Sequence, residues 1–200
     1  MRRVAHALLS LACIYKGFQK TIGRSHTNYL SDHVRPHPGD RILDIGCGPA
    51  AILDALPDVH YVGVDLSRAY IHEAKSRFRN RGEFRCQPLE TFVVEDPGTF
   101  DIVMANGVVH HLDDASAAKL FSAARLALKP TGRLVTHDGC YAPGQSPIAR
   151  WLLANDRGRY IRNESQYLHL ASSCFTTVRA TIRHDLLRVP YTHLIMECSG

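Results

Sequence analysis

The stretch Gly46-Cys47-Gly48-Pro49-Ala50-Ala51 fits the pattern G-x-G-x-x-A and directly follows an apolar run. The first glycine permits a tight turn, and the second allows a ligand to approach the backbone closely. An acid, Asp65, follows about 20 residues later, where a carboxylate accepts hydrogen bonds from ribose hydroxyls. This spacing predicts a nucleoside site. Two alternatives are a strand-to-helix turn that needs the same glycines without a ligand, and an Asp65 that only caps a helix.

A second acid, Asp44, lies inside the apolar run shortly before Gly46. A carboxylate is poorly placed beside the pyrophosphate that a dinucleotide presents at such a turn. It suits a cationic ligand instead, and S-adenosylmethionine carries a sulfonium and an ammonium besides its ribose and adenine. We therefore predict S-adenosylmethionine as the cofactor and expect Asp44 to face its amino-acid end, directly or through water. A nicotinamide oxidoreductase remains the alternative, because the glycine pattern overlaps.

Strands and helices alternate along most of the chain, which is typical of a parallel sheet with helices on both faces. The last two predicted strands are separated by only about six residues, whereas a parallel crossover needs a dozen or more. They should therefore form an antiparallel hairpin. The sequence thus predicts an α/β fold with strands at Arg41–Gly46, His60–Ser67, Gly82–Leu89, Phe100–Val109, Arg133–Gly139, Thr176–Asp185 and Thr192–Ser199.

We expect a single domain over residues 1–200, with helices at Ala50–Leu56, Ser67–Arg79 and Ala115–Leu128. Residues 1–35 should form an N-terminal helical cap, because apolar side chains recur there at steps of three and four. A signal peptide is the alternative, since the chain starts with basic residues and an apolar run. Residues 140–173 hold predicted short helices and no strand, and we name them the cover segment.

Four motifs occur in the order ILDIGCGPA, YVGVDLS, FDIVMANGVVHHLDD and LKPTGRLV. Together they resemble the class I S-adenosylmethionine-dependent methyltransferases, most closely the small-molecule group with an L-D-I-G-C-G signature. The resemblance extends over roughly residues 36–200 and implies a Rossmann-like sheet of seven strands. It does not distinguish methyl transfer from cyclisation or another rearrangement on the same fold.

The resemblance also implies a set of cofactor contacts. The glycine turn would line the methionine and ribose, and Asp65 would bind the ribose hydroxyls. Residues after the second and third strands would pack on the adenine, and residues after the fourth would face the methionine end. The predicted cofactor-binding residues are Asp44, Gly46, Cys47, Gly48, Asp65, Leu66, Leu89, Asn106 and Gly107.

Methyl transfer from a sulfonium is an in-line displacement that needs alignment of the reactants and no protein nucleophile. A hydroxyl or acidic carbon acceptor also needs a base, which contributes roughly 10²–10⁴-fold. His111 follows the fourth predicted strand and is the first candidate, with Asp138 and Tyr141 after the fifth strand as second choices. His110 should point to the opposite face, as strand neighbours do, and be structural. A metal site shared by the two histidines is therefore not predicted.

Acceptor contacts are predicted from both ends of the chain. Tyr15 and Phe18 would close over the site from the N-terminal cap, with core packing as the alternative. Tyr160 and the basic residues of the cover segment, Arg157, Arg159 and Arg162, would hold a carboxylate or phosphate of the acceptor, with a solvated helix end as the alternative.

The composition excludes several functional classes. The net charge of +5 is spread without a Lys/Arg block, and the motifs of DNA-methylating enzymes are absent, so nucleic acid and membrane surfaces are not expected partners. The six cysteines form no C-x-x-C pair, which argues against a disulfide framework or zinc and favours a reducing, cytoplasmic location. We predict a small-molecule acceptor and a monomer or homodimer.

Overall fold

A computed structural model describes residues 29–88 and 97–200 of the chain, and its strands form one sheet. The strands are β1 (Arg41–Ile45), β2 (His60–Asp65), β3 (Gly82–Cys86), β4 (Phe100–Asn106), β5 (Leu128–Tyr141), β6 (Arg162–Asn163), β7 (Thr177–Arg183) and β8 (His193–Ser199). All seven predicted strands are present within this set, and the two-residue β6 is additional.

The strands run in the order β3-β2-β1-β4-β5-β8-β7, with β6 beside the end of β5. The first five pair in parallel, and β8 is antiparallel to both β5 and β7. The predicted mostly parallel, Rossmann-like sheet with a C-terminal hairpin is confirmed. Because the strand order reverses direction between β1 and β4, their carboxyl ends flank the point where open α/β sheets bind ligands.

Among the described residues, four α-helices flank the sheet: α1 (Arg68–Phe78), α2 (Asp114–Ala127), α3 (Pro147–Ala154) and α4 (Glu164–Ser172). Each begins after a residue whose side chain accepts a backbone N–H bond, which satisfies one of the free donors of the first turn. Ser67, the first residue of the predicted helix Ser67–Arg79, is the cap of α1. Among the described helices, none has the length and apolar character needed to cross a membrane.

Two apolar cores lie on opposite faces of the sheet. One core contains Leu43 and Val103 together with side chains of α2 and α4, and the other contains Ile42 and Met104 together with side chains of α1 and the segment 29–34. Successive strand residues point to opposite faces. The alternation therefore assigns the polar residues at the carboxyl ends, namely Asp44, Asn106 and His137, to the face covered by α1.

The predicted helix at Ala50–Leu56 is wrong, because only a single 3-10 turn forms at Ala51–Asp54. Ala50 has a left-handed backbone with a φ of 56°, which delays the helical start. Pro57 disfavours the α conformation in the residue before it. Too few residues remain between these two positions for an α-helix to propagate.

The boundaries of β5 also differ from the prediction. Strand β5 begins at Leu128 rather than at the predicted Arg133, and its pairing with β4 shifts register between Phe100 and Ile102. The expectation of no strand within residues 140–173 is wrong, since Cys140 and Tyr141 pair with β6. A pairing of two residues is too short to leave a periodic pattern in the sequence.

A turn of π-helix at Leu30–Val34 lies near the start of the described residues. Arg133 of β5 binds this turn by donating to the backbone carbonyls of Val34 and Arg35. Of the helical cap predicted over residues 1–35, the part in residues 1–28 lies outside the described residues, as do the predicted contacts of Tyr15, Phe18 and Leu89. The single domain over residues 1–200 stays a prediction.

Candidate functional site

The glycine turn after β1 is shaped differently at its two glycines. Gly46 has a φ of 73°, and a Cβ atom there would lie 2.5 Å from Cγ2 of Val108. Any side chain at Gly46 would therefore clash with the loop after β4. Gly48 has a φ of 55°, but a Cβ atom there would meet no atom within 4 Å. The backbone at Gly48 thus borders open space, which leaves room for a ligand.

Asp65, at the end of β2, ties the glycine turn to the next helix. Its Oδ2 accepts a bond from the Gly48 N–H at 2.9 Å, and its Oδ1 accepts one from the Ser67 N–H at 2.7 Å. A carboxylate offers about four lone-pair sites, so two remain for other donors. The alternative that Asp65 merely caps a helix is incomplete, because it also holds the turn that faces the open space.

The residues beside Asp65 have contrasting exposure. Leu66 is 76% exposed although it is a large apolar residue, and it stands directly after the strand. An exposed apolar side chain at this point suits packing against a flat ligand ring. Cys47 is packed against Gly63, and burial, together with the nearby Asp44 and Asp65, raises the pKa of its thiol far above the ordinary value. Cys47 is therefore a space-filling residue rather than a nucleophile.

Asp44 is a buried carboxyl group on the face of the sheet covered by α1. It is 3% exposed, and its Oδ2 accepts a bond from the Tyr61 hydroxyl at 2.6 Å. Burial raises the pKa of Asp44 to about 7; the Tyr61 hydrogen bond opposes this effect, and the charge of Asp65 adds to it. Among the described residues, the groups that act on Asp44 are thus a hydroxyl and a second carboxylate, and neither supplies a positive charge that would stabilise it.

Asn106 ends β4 and Gly107 follows it, and a tyrosine that the sequence did not indicate lies next to Asn106. The Tyr29 hydroxyl donates to Oδ1 of Asn106, and the Tyr29 ring stacks on His137 with the ring centroids 5.1 Å apart. Gly107 has a φ of 68° and donates its N–H to the His137 carbonyl at 2.7 Å. Tyr29 follows no periodic pattern, and only the docking of the N-terminal segment brings it to the site.

The predicted placement of the two histidines is wrong. Strand β4 ends at Asn106, and Val109–His111 form a 3-10 turn. In such a turn successive side chains do not alternate between faces, and the two imidazole rings lie 4.1 Å apart between centroids. His110 is buried and His111 is exposed, so His111 is the histidine open to a ligand.

The pKa values of the two histidines move in opposite directions. Burial lowers the pKa of His110, but its hydrogen bond to Asp138 and the charges of Asp138 and Asp156 outweigh this, so the net pKa is raised. The pKa of His111 is lowered by partial burial and by the charge of His110. His111 therefore remains a neutral proton acceptor at lower pH than a free histidine does.

Asp138 and Tyr141, the second choices for a base, have other partners. Asp138 is 2% exposed, and its Oδ1 accepts from both Nδ1 and the backbone N–H of His110, at 2.8 Å and 3.1 Å. This places Asp138 behind His110 rather than in the open space. The Tyr141 ring lies under the Arg150 guanidinium, 5.7 Å from the ring centroid.

Two of the acceptor-binding residues predicted in the cover segment lie beside the two histidines, and a third is buried elsewhere. Tyr160 is exposed, and its backbone N–H donates to the His110 carbonyl at 2.9 Å. Arg157 is also exposed and forms a backbone hydrogen bond with His111. Arg162 is buried, and it donates to the Val109 and Leu112 carbonyls and to Asp114. The expectation that Arg162 would hold an acceptor is therefore wrong, because structural partners use its guanidinium.

Several known proteins that are similar to this chain are named as methyltransferases. The family model for a methyltransferase domain matches residues 43–134. A phosphoethanolamine N-methyltransferase of Triticum aestivum is 30% identical over 158 residues, which make up 76% of this chain and 31% of that protein. A ubiquinone biosynthesis O-methyltransferase of Xylella fastidiosa is 32% identical over 112 residues, which make up 54% of this chain and 44% of that protein.

Solved structures of methyltransferases have a fold similar to that of this chain. A geranyl diphosphate C-methyltransferase of Streptomyces coelicolor superposes with a TM-score of 0.68 at 19% identity, covering 88% of this chain and 80% of that one. Together with the sequence matches, this confirms that the chain carries a class I S-adenosylmethionine-dependent methyltransferase domain. The chain spans less than half of the length of the two curated relatives named above.

Proposed function

We propose that this protein transfers a methyl group from S-adenosylmethionine to a small organic acceptor. The observation that carries the proposal is the buried Asp44, which lies beside a glycine turn that borders open space and receives no cationic partner from residues 29–88 and 97–200. When bound, the cofactor supplies an already activated methyl group. The protein then has to orient the two reactants, exclude water and remove a proton where the acceptor requires it.

The polar residues divide between the two ends of such a cofactor. Asp44 and Asn106 face its amino-acid end, where a carboxylate and an amide oxygen accept bonds from an ammonium. Asp65 uses its two remaining lone-pair sites for the ribose hydroxyls, and the exposed Leu66 packs on the adenine. Tyr29 closes the amino-acid end by its bond to Asn106.

The test of the proposal is a binding and transfer assay. We expect S-adenosylmethionine and S-adenosylhomocysteine to bind in calorimetry and nicotinamide dinucleotides not to bind. Incubation of labelled S-adenosylmethionine with panels of hydroxyl, amine and acidic-carbon acceptors should then give a labelled product. Binding of a nicotinamide cofactor with no binding of S-adenosylmethionine would refute the proposal.

Cofactor affinity should depend on pH through Asp44. The pKa of about 7 means that ionising Asp44 in the unliganded fold costs about 4 kcal/mol. This cost grows as the pH rises from the pKa that Asp44 has in the unfolded chain to about 7, and a bound cation offsets it. Below pH 7 binding must therefore release a proton, and we expect the affinity for S-adenosylmethionine to fall by about tenfold per pH unit. Calorimetry in buffers of different ionisation enthalpy measures that proton.

Asp44→Asn tests the source of this dependence. The amide cannot ionise, so the variant should bind weakly at every pH and release no proton. Asp58→Asn is the matched control, because Asp58 is exposed and lies in the turn before β2. An unchanged pH slope in Asp44→Asn would remove Asp44 from the cofactor site.

The cover segment is the part of the site best placed to choose the acceptor. Arg157 and Tyr160 are exposed beside His111 and lie outside the glycine turn and Asp65. The two curated relatives are named for an N-methylation of phosphoethanolamine and for an O-methylation in ubiquinone biosynthesis. We infer a small acceptor, with a negative group held by Arg157 where it has one.

The double change Arg157→Ala and Tyr160→Ala should alter acceptor KM or turnover by about tenfold or more and change cofactor Kd by less than about twofold. The reason is that removing a hydrogen bond to a charged group costs ~1.5–3 kcal/mol only for the ligand that uses it. Steady-state kinetics and calorimetry measure the two effects separately. Arg125→Ala, an exposed arginine near the end of α2, is the control. Loss of cofactor binding with the fold intact would assign the cover segment to the cofactor site instead.

A further inference from the structure

Asp138 is a buried carboxylate with a single partner residue among the described residues. Its Oδ1 accepts the two bonds from His110, and its Oδ2 is buried without a hydrogen-bond partner in the described ranges. A buried carboxylate is stable only when it is paired with a positive charge and hydrogen-bonded. The His110 imidazole is the group in place to carry that charge.

A second carboxylate approaches the same imidazole from the cover segment. Oδ1 of Asp156, which follows α3, lies 3.6 Å from Nε2 of His110, while Nδ1 is bound to Asp138. Asp156 is itself held in place, because its Oδ1 accepts from the Gly158 N–H at 2.7 Å and its Oδ2 accepts from the Tyr191 hydroxyl at 3.0 Å. One imidazole thus joins β5 to the cover segment and, through Tyr191, to the β7–β8 connection.

The backbone around His110 is fitted to the ring. A Cβ atom on Gly158 would lie 2.2 Å from Cδ2 of His110, so only a glycine allows the cover segment to pass this close. One residue beyond Arg159, the Tyr160 N–H donates to the His110 carbonyl at 2.9 Å. The cover segment therefore makes a backbone hydrogen bond and an ion pair to the same residue, His110. We name His110, Asp138, Asp156 and Tyr191 the His110 cluster.

We propose that His110 is a positioning residue. Its contacts with Asp138 and Asp156 hold the cover segment and the His111 ring in place at the acceptor end of the site. The role of His111 in that statement rests on the proposed function. The attachment of the cover segment does not rest on it, because it follows from contacts within the chain.

These contacts of His110 make the attachment of the cover segment dependent on pH. The groups facing His110 are Asp138 of β5, Asp156 after α3, His111 of its own turn, His193 of β8 and, through Asp156, Tyr191. Burial lowers the pKa of His110, but the two carboxylates outweigh it and raise the pKa in the folded protein above that in the unfolded chain. The stabilisation by protonated His110 is therefore complete below the pKa of the unfolded chain and is lost as the pH rises through the pKa of the folded protein. The cover segment should therefore open more often at alkaline pH.

The experiment is hydrogen exchange of the Tyr160 amide, read by NMR or mass spectrometry in the full chain, with its intrinsic pH dependence removed. In the wild type, protection should fall as the pH is raised above neutrality. In Asp156→Asn, which removes one of the two negative charges at the edge of the cluster, exchange should be about tenfold faster at pH 6, and the pH dependence should flatten. His110→Phe, which keeps a ring of similar size, should show the same change. Asp54→Asn, in the turn after β1, is the control and should show neither effect.

A second readout follows the neighbouring histidine. Loss of the positive charge in His110→Phe should raise the pKa of His111 towards its ordinary value, and an NMR titration of its ring protons measures this. If His110 were merely structural, His110→Phe would destabilise the fold, but the exchange of the Tyr160 amide would not show a pH dependence that disappears in Asp156→Asn. Unchanged Tyr160 exchange in that variant would overturn the proposal. Neither readout needs substrate or cofactor, so failure of S-adenosylmethionine to bind would refute the proposed function and leave this inference standing.

Discussion

His111→Ala should lower turnover of a hydroxyl or acidic-carbon acceptor by about 10²-fold or more and leave cofactor affinity nearly unchanged. The side chain is exposed at the carboxyl end of β4, while its neighbour His110 is buried against Asp138. His111 is therefore the imidazole able to take a proton from a bound acceptor. For a free amine or a thiolate no base is required, and the change in turnover should be small.

The pH dependence of turnover identifies the base. The pKa of His111 is lowered by partial burial and by the charge of His110, so the neutral form persists below pH 6.5. Turnover should fall on the acid side as the pH drops through that lowered value, and this limb should be missing in His111→Ala. His169→Ala, an exposed histidine on α4, is the matched control. An acid limb that survives in His111→Ala would show that another group is the base.

Asp65→Ala should weaken binding of S-adenosylmethionine and S-adenosylhomocysteine by about 100-fold or more. Two effects combine, because the ribose loses its acceptor and the Gly48 and Ser67 amides lose theirs. Each lost bond to a charged group costs ~1.5–3 kcal/mol, although water replaces part of the loss at a half-buried site. Calorimetry gives the affinity, and thermal unfolding without ligand gives the structural share.

The comparison with Asp65→Asn separates the two effects. Its amide oxygen replaces one of the two acceptors, so the fold should be closer to the wild type while cofactor affinity stays low. Asp58→Ala is the control for loss of a nearby carboxylate that holds no backbone amide in the described ranges. Wild-type affinity in Asp65→Ala would contradict the assignment of Asp65 to the ribose.

The order of strands and helices was predictable because it depends on local patterns. Apolar runs such as that of β1 and the turn residues between them determine strand positions within a few residues. The short connection between β7 and β8 required an antiparallel hairpin. The helix after Gly48 was mispredicted for a local reason as well, because the backbone of Ala50 is left-handed and Pro57 follows closely.

The glycine turn after β1 was predictable because its shape depends on backbone geometry, whereas the cofactor contacts of Asp44 and Asp65 stay predictions. Gly46 and Gly48 have the positive φ angles that such a turn requires. The sequence also indicated that a carboxylate at position 44 suits a cationic ligand, and the burial of Asp44 is consistent with that prediction.

By itself the sequence determined the class of fold, the methyltransferase family and the residues of the glycine turn. Only the tertiary structure decided which side chains meet at the acceptor end. Strand β4 ends early, so His110 and His111 lie side by side, and His110 meets Asp138 and Asp156 from distant parts of the chain. Tyr29 reaches Asn106 across a separation of 77 residues. Such contacts depend on how strands and loops pack in space, and no periodic pattern or short motif encodes a pairing between residues so far apart.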